Sequence, residues 1–316
     1  MDIVVLDGYC LNHGDLSWAP FERLGNVVVY ERTPYGEIAS RMGGASVMIT
    51  NKCNVDRTVV DALPNLKYVG VLATGYNNVD TEYCREKGIA VTNVPSYSTE
   101  SVVQAVFGLT LQLYSGLSTH AASVKRGDWC AAPDFCYYLG SLRELYGKTL
   151  GIVGFGAIGR RVAAVGAAFG MRVLVNTRTP SKFPEDGFKY VSFEDLMKES
   201  DVVSLNCPLT DENVGIINKR SLSLMKNNAI IVNTARGGLI NDADLAEALN
   251  TGAIAGAALD VLSTEPPDAS DPLLSARNAF ITPHIAWATV EARSRLMECA
   301  AANLAAFLEG RELNRV

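Results

Sequence analysis

The 316-residue sequence is poor in histidine, holding only three, and its seven cysteines never fall in a CxxC spacing. Scattered thiols in odd number argue against a disulfide framework or a zinc site, so no metal is expected. They fit a reducing, cytoplasmic setting. A basic cluster is also missing: Asp and Glu outnumber Lys and Arg by 34 to 28, for a net charge of −6. Nucleic acid is therefore not an expected partner. No apolar run approaches the roughly 20 residues of a membrane span. The start, MDIVVLDGYC, lacks a signal-peptide pattern, so a membrane partner is not expected either. Repeats and low-complexity tracts are absent.

What is present is a doubly wound pattern with a glycine turn at its centre. Residues 150–178 read LGIVGFGAIGRRVAAVGAAFGMRVLVNTR, in the order strand, glycine turn, helix, strand. That is the context a dinucleotide-binding GxGxxG requires. Gly154 would allow the tight turn, Gly156 the approach of a pyrophosphate, and Gly159 the close packing of helix on strand. The first helical amides would face the phosphates. A lone GxGxxG also suits any tight α/β turn, and it is the two flanking strands that favour a dinucleotide.

The length suggests two domains. Before the glycine turn, residues 3–6, 27–30, 47–50, 66–72 and 90–92 read as buried parallel strands, with helices over 57–63 and 80–87. A break follows near Pro95 and Ser96. Residues 100–124 then predict one long, strongly apolar helix. Beyond it, residues 126–147 lose periodicity and collect Trp129, Phe135, Tyr137, Tyr138 and Tyr146. Such an arm suits an interface with a second copy, hence a homodimer, although it can equally cover its own domain. After the glycine turn, strands are expected over 202–206, 229–233, 255–260 and 279–282. Helices are expected over 193–198, 219–225 and 242–249, with a last amphipathic one over 290–309. The fold class is α/β with two Rossmann-like domains. Residues 99–288 form a central dinucleotide-binding domain, and 1–98 plus 289–316 a discontinuous substrate domain. Ligands in such folds lie at strand C-terminal ends.

With histidine scarce, candidates for acid–base work are few. His13 lies in a polar loop and His120 in the apolar helix, and both read as structural. His284, in ITPHIAWAT, follows a strand at its C-terminal end, where a general acid would stand; by position alone it could be an ordinary loop histidine. Arg236, in VNTARGG, follows another strand, and its planar fork suits a carboxylate. GAALDVLSTEPP ends a third strand on Asp260 and sets Glu265 in the next loop.

GFGAIG, NTARGG, GAALDVLSTEPP and TPHIAWAT, in this order, make the chain resemble the D-isomer-specific 2-hydroxyacid dehydrogenase family over essentially its whole length. The resemblance implies a flavodoxin-like fold for the substrate domain. It also implies reversible hydride transfer from a nicotinamide to a small 2-oxo acid, giving the D-2-hydroxy acid. Arg236 would hold the carboxylate and polarise the carbonyl, and His284 would be the acid/base. Glu265 would orient His284 and favour its protonated form. Thr74 and Gly75, in LATGYNNVD, match the loop whose amides bind the substrate carboxylate; Asn51 and Lys52, which follow an expected strand, either edge the pocket or are ordinary loop residues. On the cofactor side the matching positions begin with Val103, Gly154, Gly156, Ala157 and Ile158. Cys207, Pro208, Thr234 and Ala235 continue them, and Asp260, His284 and Ala286 would lie near the nicotinamide, Asp260 accepting from its carboxamide. The words ATGYNNVD, PDFCYY and HIAWAT are most similar to the glycerate dehydrogenase, or hydroxypyruvate reductase, branch. Hydroxypyruvate or glyoxylate is the substrate this implies, and Glu265 speaks against the formate dehydrogenases, which carry glutamine there.

One absence carries its own message. NAD-specific members end the second strand of the dinucleotide domain in an acid, whereas this chain reads VNTRTPSK from Val175. Arg178 can pair with a 2′-phosphate, and Thr177, Thr179 and Ser181 stand beside it. NADP(H) is therefore expected, with NAD(H) left open because Arg178 can instead stack on adenine. Other readings stand as well: a nucleotide-sensing, corepressor-like interaction protein, a dehydrogenase of another 2-hydroxy acid, or one for a phosphorylated acid with Lys52 as the basic group.

Overall fold

The computed structural model describes residues 1–179 and 187–316. The chain divides into two compact units, Met1–Ser98 with Trp287–Val316, and Thr99–Ala286. The return crossing falls after Ala286, two residues before the expected position.

Unit 1 alternates strand and helix from the first residues. Its elements are β1 (Asp2–Val5), α1 (Ala19–Glu22), β2 (Asn26–Val29), α2 (Ile38–Met42), β3 (Val47–Thr50), α3 (Arg57–Asp61), β4 (Tyr68–Val71), α4 (Thr81–Glu86) and β5 (Ala90–Thr92). The strands pair in parallel in the order β2-β1-β3-β4-β5, the flavodoxin-like arrangement. Parallel strands covered on both faces read as unbroken apolar runs, and side chains one apart go to opposite faces. Val4, Met48, Val69 and Val91 accordingly pack with α2, α3 and α4. Ile3, Val47, Ile49 and Tyr68 pack instead with residues of α1 and of the final helix, α11 (Val290–Leu308).

Unit 2 begins with α5 (Thr99–Ser115) and α6 (Leu117–Lys125). These replace the single helix expected over 100–124. Gly116 breaks it by adopting φ +55°, a left-handed conformation that costs glycine little. Gln112 and Ser118 then bond across the break, with the Gln112 amide donating to the Ser118 hydroxyl at 2.6 Å. The remaining elements are β6 (Thr149–Val153), α7 (Ala157–Ala168), β7 (Arg172–Asn176), β8 (Lys189–Tyr190), α8 (Phe193–Glu199), β9 (Val202–Leu205), α9 (Lys219–Leu222), β10 (Ile230–Asn233), α10 (Asp242–Thr251), β11 (Gly256–Leu259) and β12 (Ala279–Ile281). Strand β8, only two residues long, was not foreseen. All pairings are parallel, in the order β12-β11-β10-β9-β6-β7-β8. Successive strands are therefore added in opposite directions from β6 and from β9, which makes the gap between them the switch point where open α/β sheets bind ligands.

Within unit 1, α11 is fastened to the opening loop by Arg293. Its side chain is 6% exposed and makes a two-pronged pair with Asp15 at 2.8 and 2.6 Å. The same guanidinium donates to the carbonyls of Leu11 and Ala288. The Arg293 hydrogen bond holds the Asp15 carboxyl down at about 2, from an ordinary 3.8. A depressed carboxylate stabilises the fold above its unfolded value and loses that contribution as pH falls through the folded one. Asp15→Asn is therefore expected to melt below the wild type at pH 7, with the gap closing between pH 4 and pH 2. Thermal unfolding across that range measures it, and a gap that stays constant with pH would remove the pair from this role.

Candidate active site

The strand order of unit 2 brings the sequence candidates to one edge of one sheet. β10, β11 and β12 are neighbours, with Asn233 opposite Leu259 and Leu259 opposite Ile281. Arg236, Asp260 and His284 follow these residues by a few positions, so their loops leave the sheet side by side. Gly237 permits this closeness. A Cβ there would lie 1.9 Å from the Leu262 carbonyl, which only glycine tolerates.

Asp260 organises the group. It is 1% exposed, and its carboxylate accepts from the Thr282 hydroxyl at 2.6 Å, the Ile285 amide at 2.9 Å and the Ala286 amide at 2.8 Å. Its backbone carbonyl takes the His284 amide at 2.8 Å. The Ser101 hydroxyl donates to the Ala286 carbonyl at 2.6 Å from the other side. His284 is thus held at φ +53°, a conformation rare outside glycine and kept only where the surroundings impose it. Its Nδ1 lies 2.6 Å from a Glu265 carboxylate oxygen. The other Glu265 oxygen accepts from the Leu262 amide at 3.1 Å, which fixes the carboxylate in turn. Arg236 is exposed, with one guanidinium nitrogen donating to the Ala235 carbonyl at 2.7 Å. The Asn233 side chain locks its loop by bonding the Arg236 carbonyl and the Ala235 amide.

The glycine turn sits at the switch point. Gly154 has φ +91°, and a Cβ on it would lie 2.7 Å from the Cys207 backbone nitrogen, in the loop after β9. A Cβ on Gly159 would lie 2.1 Å from the Gly154 carbonyl, whereas Gly156 has open space above it. Gly156 caps α7 with no side chain on the helical amides, and Ala157 beside it is exposed. Uncapped amides with room in front of them suit a phosphate. Two buried polar atoms, Asn206 Oδ1 and Thr234 Oγ1, meet no protein partner among the described residues. They lie one residue beyond the paired ends of β9 and β10. A buried polar atom left unmet is costly, so a ligand with hydroxyl and amide groups fits there. Burial pushes the Cys207 thiol up, with the Arg178 charge pulling the other way, so it is not a thiolate nucleophile.

The other expected cofactor positions have varied settings. Val103 is a buried residue of α5, Pro208 gives its carbonyl to Asn213, and Ala286 is tied to Asp260. Beyond β7, Thr177 is half-buried, and Thr179 and Arg178 are exposed. Arg178 lies 3.9 Å from Glu212, both side chains more than three-quarters exposed. Ser181 lies outside the described residues. His120 is structural: Nδ1 donates to the Gly116 carbonyl and Nε2 accepts from the Leu139 amide. His13 makes an edge contact with Tyr9.

In unit 1, Thr74 and Gly75 occupy the loop after β4. Their hydrogen bonds point one way: the Thr74 hydroxyl donates to the Val94 carbonyl at 2.8 Å, and the Thr74 carbonyl accepts from Asn93. Among the described residues, the Thr74, Gly75 and Tyr76 amides meet no protein acceptor. Asn51 is 5% exposed, and its side chain donates to the Leu72 carbonyl at 2.7 Å, behind that loop. Asp7 holds Asn51, Lys52 and Cys53 by their amides. Asp7, Asn93, Ser101 and Asn206 were not singled out from sequence. Asp7, Asn93 and Ser101 act through partners distant in the chain, whereas the Asn206 amide bonds Ser204 two residues away and leaves its Oδ1 unmet.

A glycine turn at a switch point and a histidine–glutamate pair along the same edge of one parallel sheet fit a nucleotide-binding oxidoreductase of the doubly wound class. Residues 107–286 match the family model for the D-isomer specific 2-hydroxyacid dehydrogenase NAD binding domain. The chain is 46% identical to a hydroxypyruvate reductase of Blautia hydrogenotrophica, over 100% of this chain and 99% of that one. It is 39% identical to a glycerate dehydrogenase of Methylorubrum extorquens, over 89% and 88%. An NADPH-dependent glyoxylate/hydroxypyruvate reductase of Sinorhizobium meliloti superposes with a TM-score of 0.86 at 29% identity, covering 100% and 97% of the two chains. The protein belongs to the D-isomer-specific 2-hydroxyacid dehydrogenases, of the glycerate and hydroxypyruvate type, and is an enzyme that uses a nicotinamide cofactor.

Proposed function

We propose that this enzyme reduces hydroxypyruvate or glyoxylate to the D-2-hydroxy acid, reversibly, with His284 as the acid/base. The 2.6 Å pair of Glu265 with His284 carries this reading. When bound, the nicotinamide supplies the hydride. Glu265 holds Nδ1, so the proton passes between Nε2 and the carbonyl oxygen. Arg236, exposed at its tip and anchored at its backbone, draws the carboxylate and polarises the carbonyl. In unit 1 the Thr74 and Gly75 amides offer donors for a carboxylate, and Asn51 acts through their loop. The names of the relatives support the substrate choice.

For the cofactor, the preference proposed is NADP(H). The exposed Arg178–Glu212 contact is weak, so the guanidinium can leave it for a 2′-phosphate, with Thr177 and Thr179 beside it. Gly154 to Ile158 take the pyrophosphate, and Asn206, Cys207, Pro208, Thr234 and Ala235 line the way to the nicotinamide. Asp260 keeps acceptor capacity on the oxygen that takes a single amide. Val103 and Ala286 act as apolar walls. No helix is long and apolar enough to cross a membrane among the described residues. Seven free cysteines support a cytoplasmic setting. The homodimer reading rests on the arm after α6, where Phe135 is 88% and Tyr138 71% exposed.

Loss of NAD(P)H absorbance at 340 nm with hydroxypyruvate and glyoxylate tests the activity. His284→Ala should lower kcat by about 10³-fold with cofactor affinity kept, and Arg236→Ala should raise KM and lower kcat together. Wild-type enzyme that turns over neither acid would sink the reading. Arg178→Ala should weaken NADPH binding by about tenfold and leave NADH nearly unchanged, as read by fluorescence titration. Equal NADPH affinity in both proteins would overturn the preference. Light scattering after gel filtration should give the mass of two chains, falling towards one in Phe135→Ser; a wild-type monomer contradicts the dimer.

A further inference from the structure

Three successive carbonyls at the end of β4 are drawn back towards unit 1. The Leu72 carbonyl takes the Asn51 side chain at 2.7 Å, the Ala73 carbonyl takes the Val94 amide at 2.9 Å, and the Thr74 carbonyl takes the Asn93 side chain at 2.8 Å. In a trans peptide the N–H points opposite the carbonyl it follows. Each carbonyl turned inward therefore turns the next amide outward. This is how the Leu72–Ala73, Ala73–Thr74 and Thr74–Gly75 peptides begin to form a cradle of donors suited to an anion.

Asn93 is itself held from behind. Its carbonyl accepts from the Asn303 side chain at 2.9 Å, and its amide donates to the Asn314 carbonyl at 3.2 Å. The Asn314 side chain donates to Asn303 Oδ1 at 2.8 Å. Asn303 is 1% exposed on α11, among residues where an aliphatic side chain would fit the core. A buried amide in that place is explained by its bonds to both neighbours. Asn314 lies in the segment that pairs with β5, where Thr92 bridges Arg315 and the Val316 amide donates to the Val91 carbonyl.

We propose that Asn93 is a positioning residue for the 2-oxo acid: backed by Asn303 and Asn314, it keeps the Thr74 carbonyl turned inward so that the following amides face the substrate carboxylate. This rests on the reading of Thr74 and Gly75 as carboxylate donors. The relay touches neither cofactor-binding residues nor the acid/base. Its loss should therefore be felt in substrate affinity first.

The test compares wild type, Asn93→Asp and Asn93→Ser with hydroxypyruvate and glyoxylate, and titrates each with NADPH by fluorescence. Asn93→Asp keeps the shape but sets an acceptor against the Thr74 carbonyl. KM should rise by about tenfold, with kcat reduced less than KM is raised and NADPH affinity unchanged. Asn93→Ser, which keeps a short donor, should fall between the two, and it supplies the same readout where Asn93→Asp does not fold. An unchanged KM in a folded variant overturns the proposal, as does a parallel loss of kcat and cofactor affinity, the mark of a general structural role. A wild type without saturable turnover of either acid overturns the underlying reading instead, which separates the two failures.

Discussion

A single buried carboxylate, that of Asp260, sets the geometry on which the chemistry of unit 2 depends. Burying a charge costs several kcal/mol unless hydrogen bonds replace water. Here one hydroxyl and two amides do so, all from the segment that follows β12. The exchange works in both directions. The segment satisfies the carboxylate, and the carboxylate bends the segment so tightly that His284 takes a left-handed backbone. From that position the imidazole meets Glu265, whose own loop is closed by the Leu262 amide. The His284 backbone is thereby fixed by its amide bond to the Asp260 carbonyl and by the amides that follow it.

Glycine plays the complementary part of allowing approach. Gly237 lets the loop carrying Arg236 lie directly on the loop leading to Glu265, and Gly154 lets the dinucleotide turn meet the loop after β9. Both contacts are below the distance any Cβ accepts. The two sheets share one logic: parallel strands place loops at one edge, and side chains remote in sequence hold those loops by hydrogen bonds. Asn93 and Asn51 in unit 1 correspond in this sense to Asp260 in unit 2.

Much of the fold was legible because parallel strands tend to be short apolar runs, and the eleven longer ones among the described residues were all recognisable as such, although β2, expected to be buried, is an edge strand that lies largely exposed. Strand β8 escaped because two residues carry no period. The long helix was misread as continuous since its apolar character runs through Gly116, while the break is a matter of one backbone angle. Arg236, Glu265 and His284 were visible through their motifs at strand ends. Asn93 and Ser101 were not, because a positioning side chain is recognised only by the distant atom it touches.

The sequence by itself determined the doubly wound pattern, the glycine turn and the identity of the chemical groups, since these follow from local periodicity and from residue type. Only the tertiary structure decided which groups meet. The order β12-β11-β10 makes neighbours of residues 236, 260 and 284, and that order arises from the handedness and packing of crossover helices. It also showed Asp260 as an anchor and Asn51 as a support behind its loop. Neither role can be read along the chain, because a hydrogen bond between residues 20 or more apart leaves no trace in spacing.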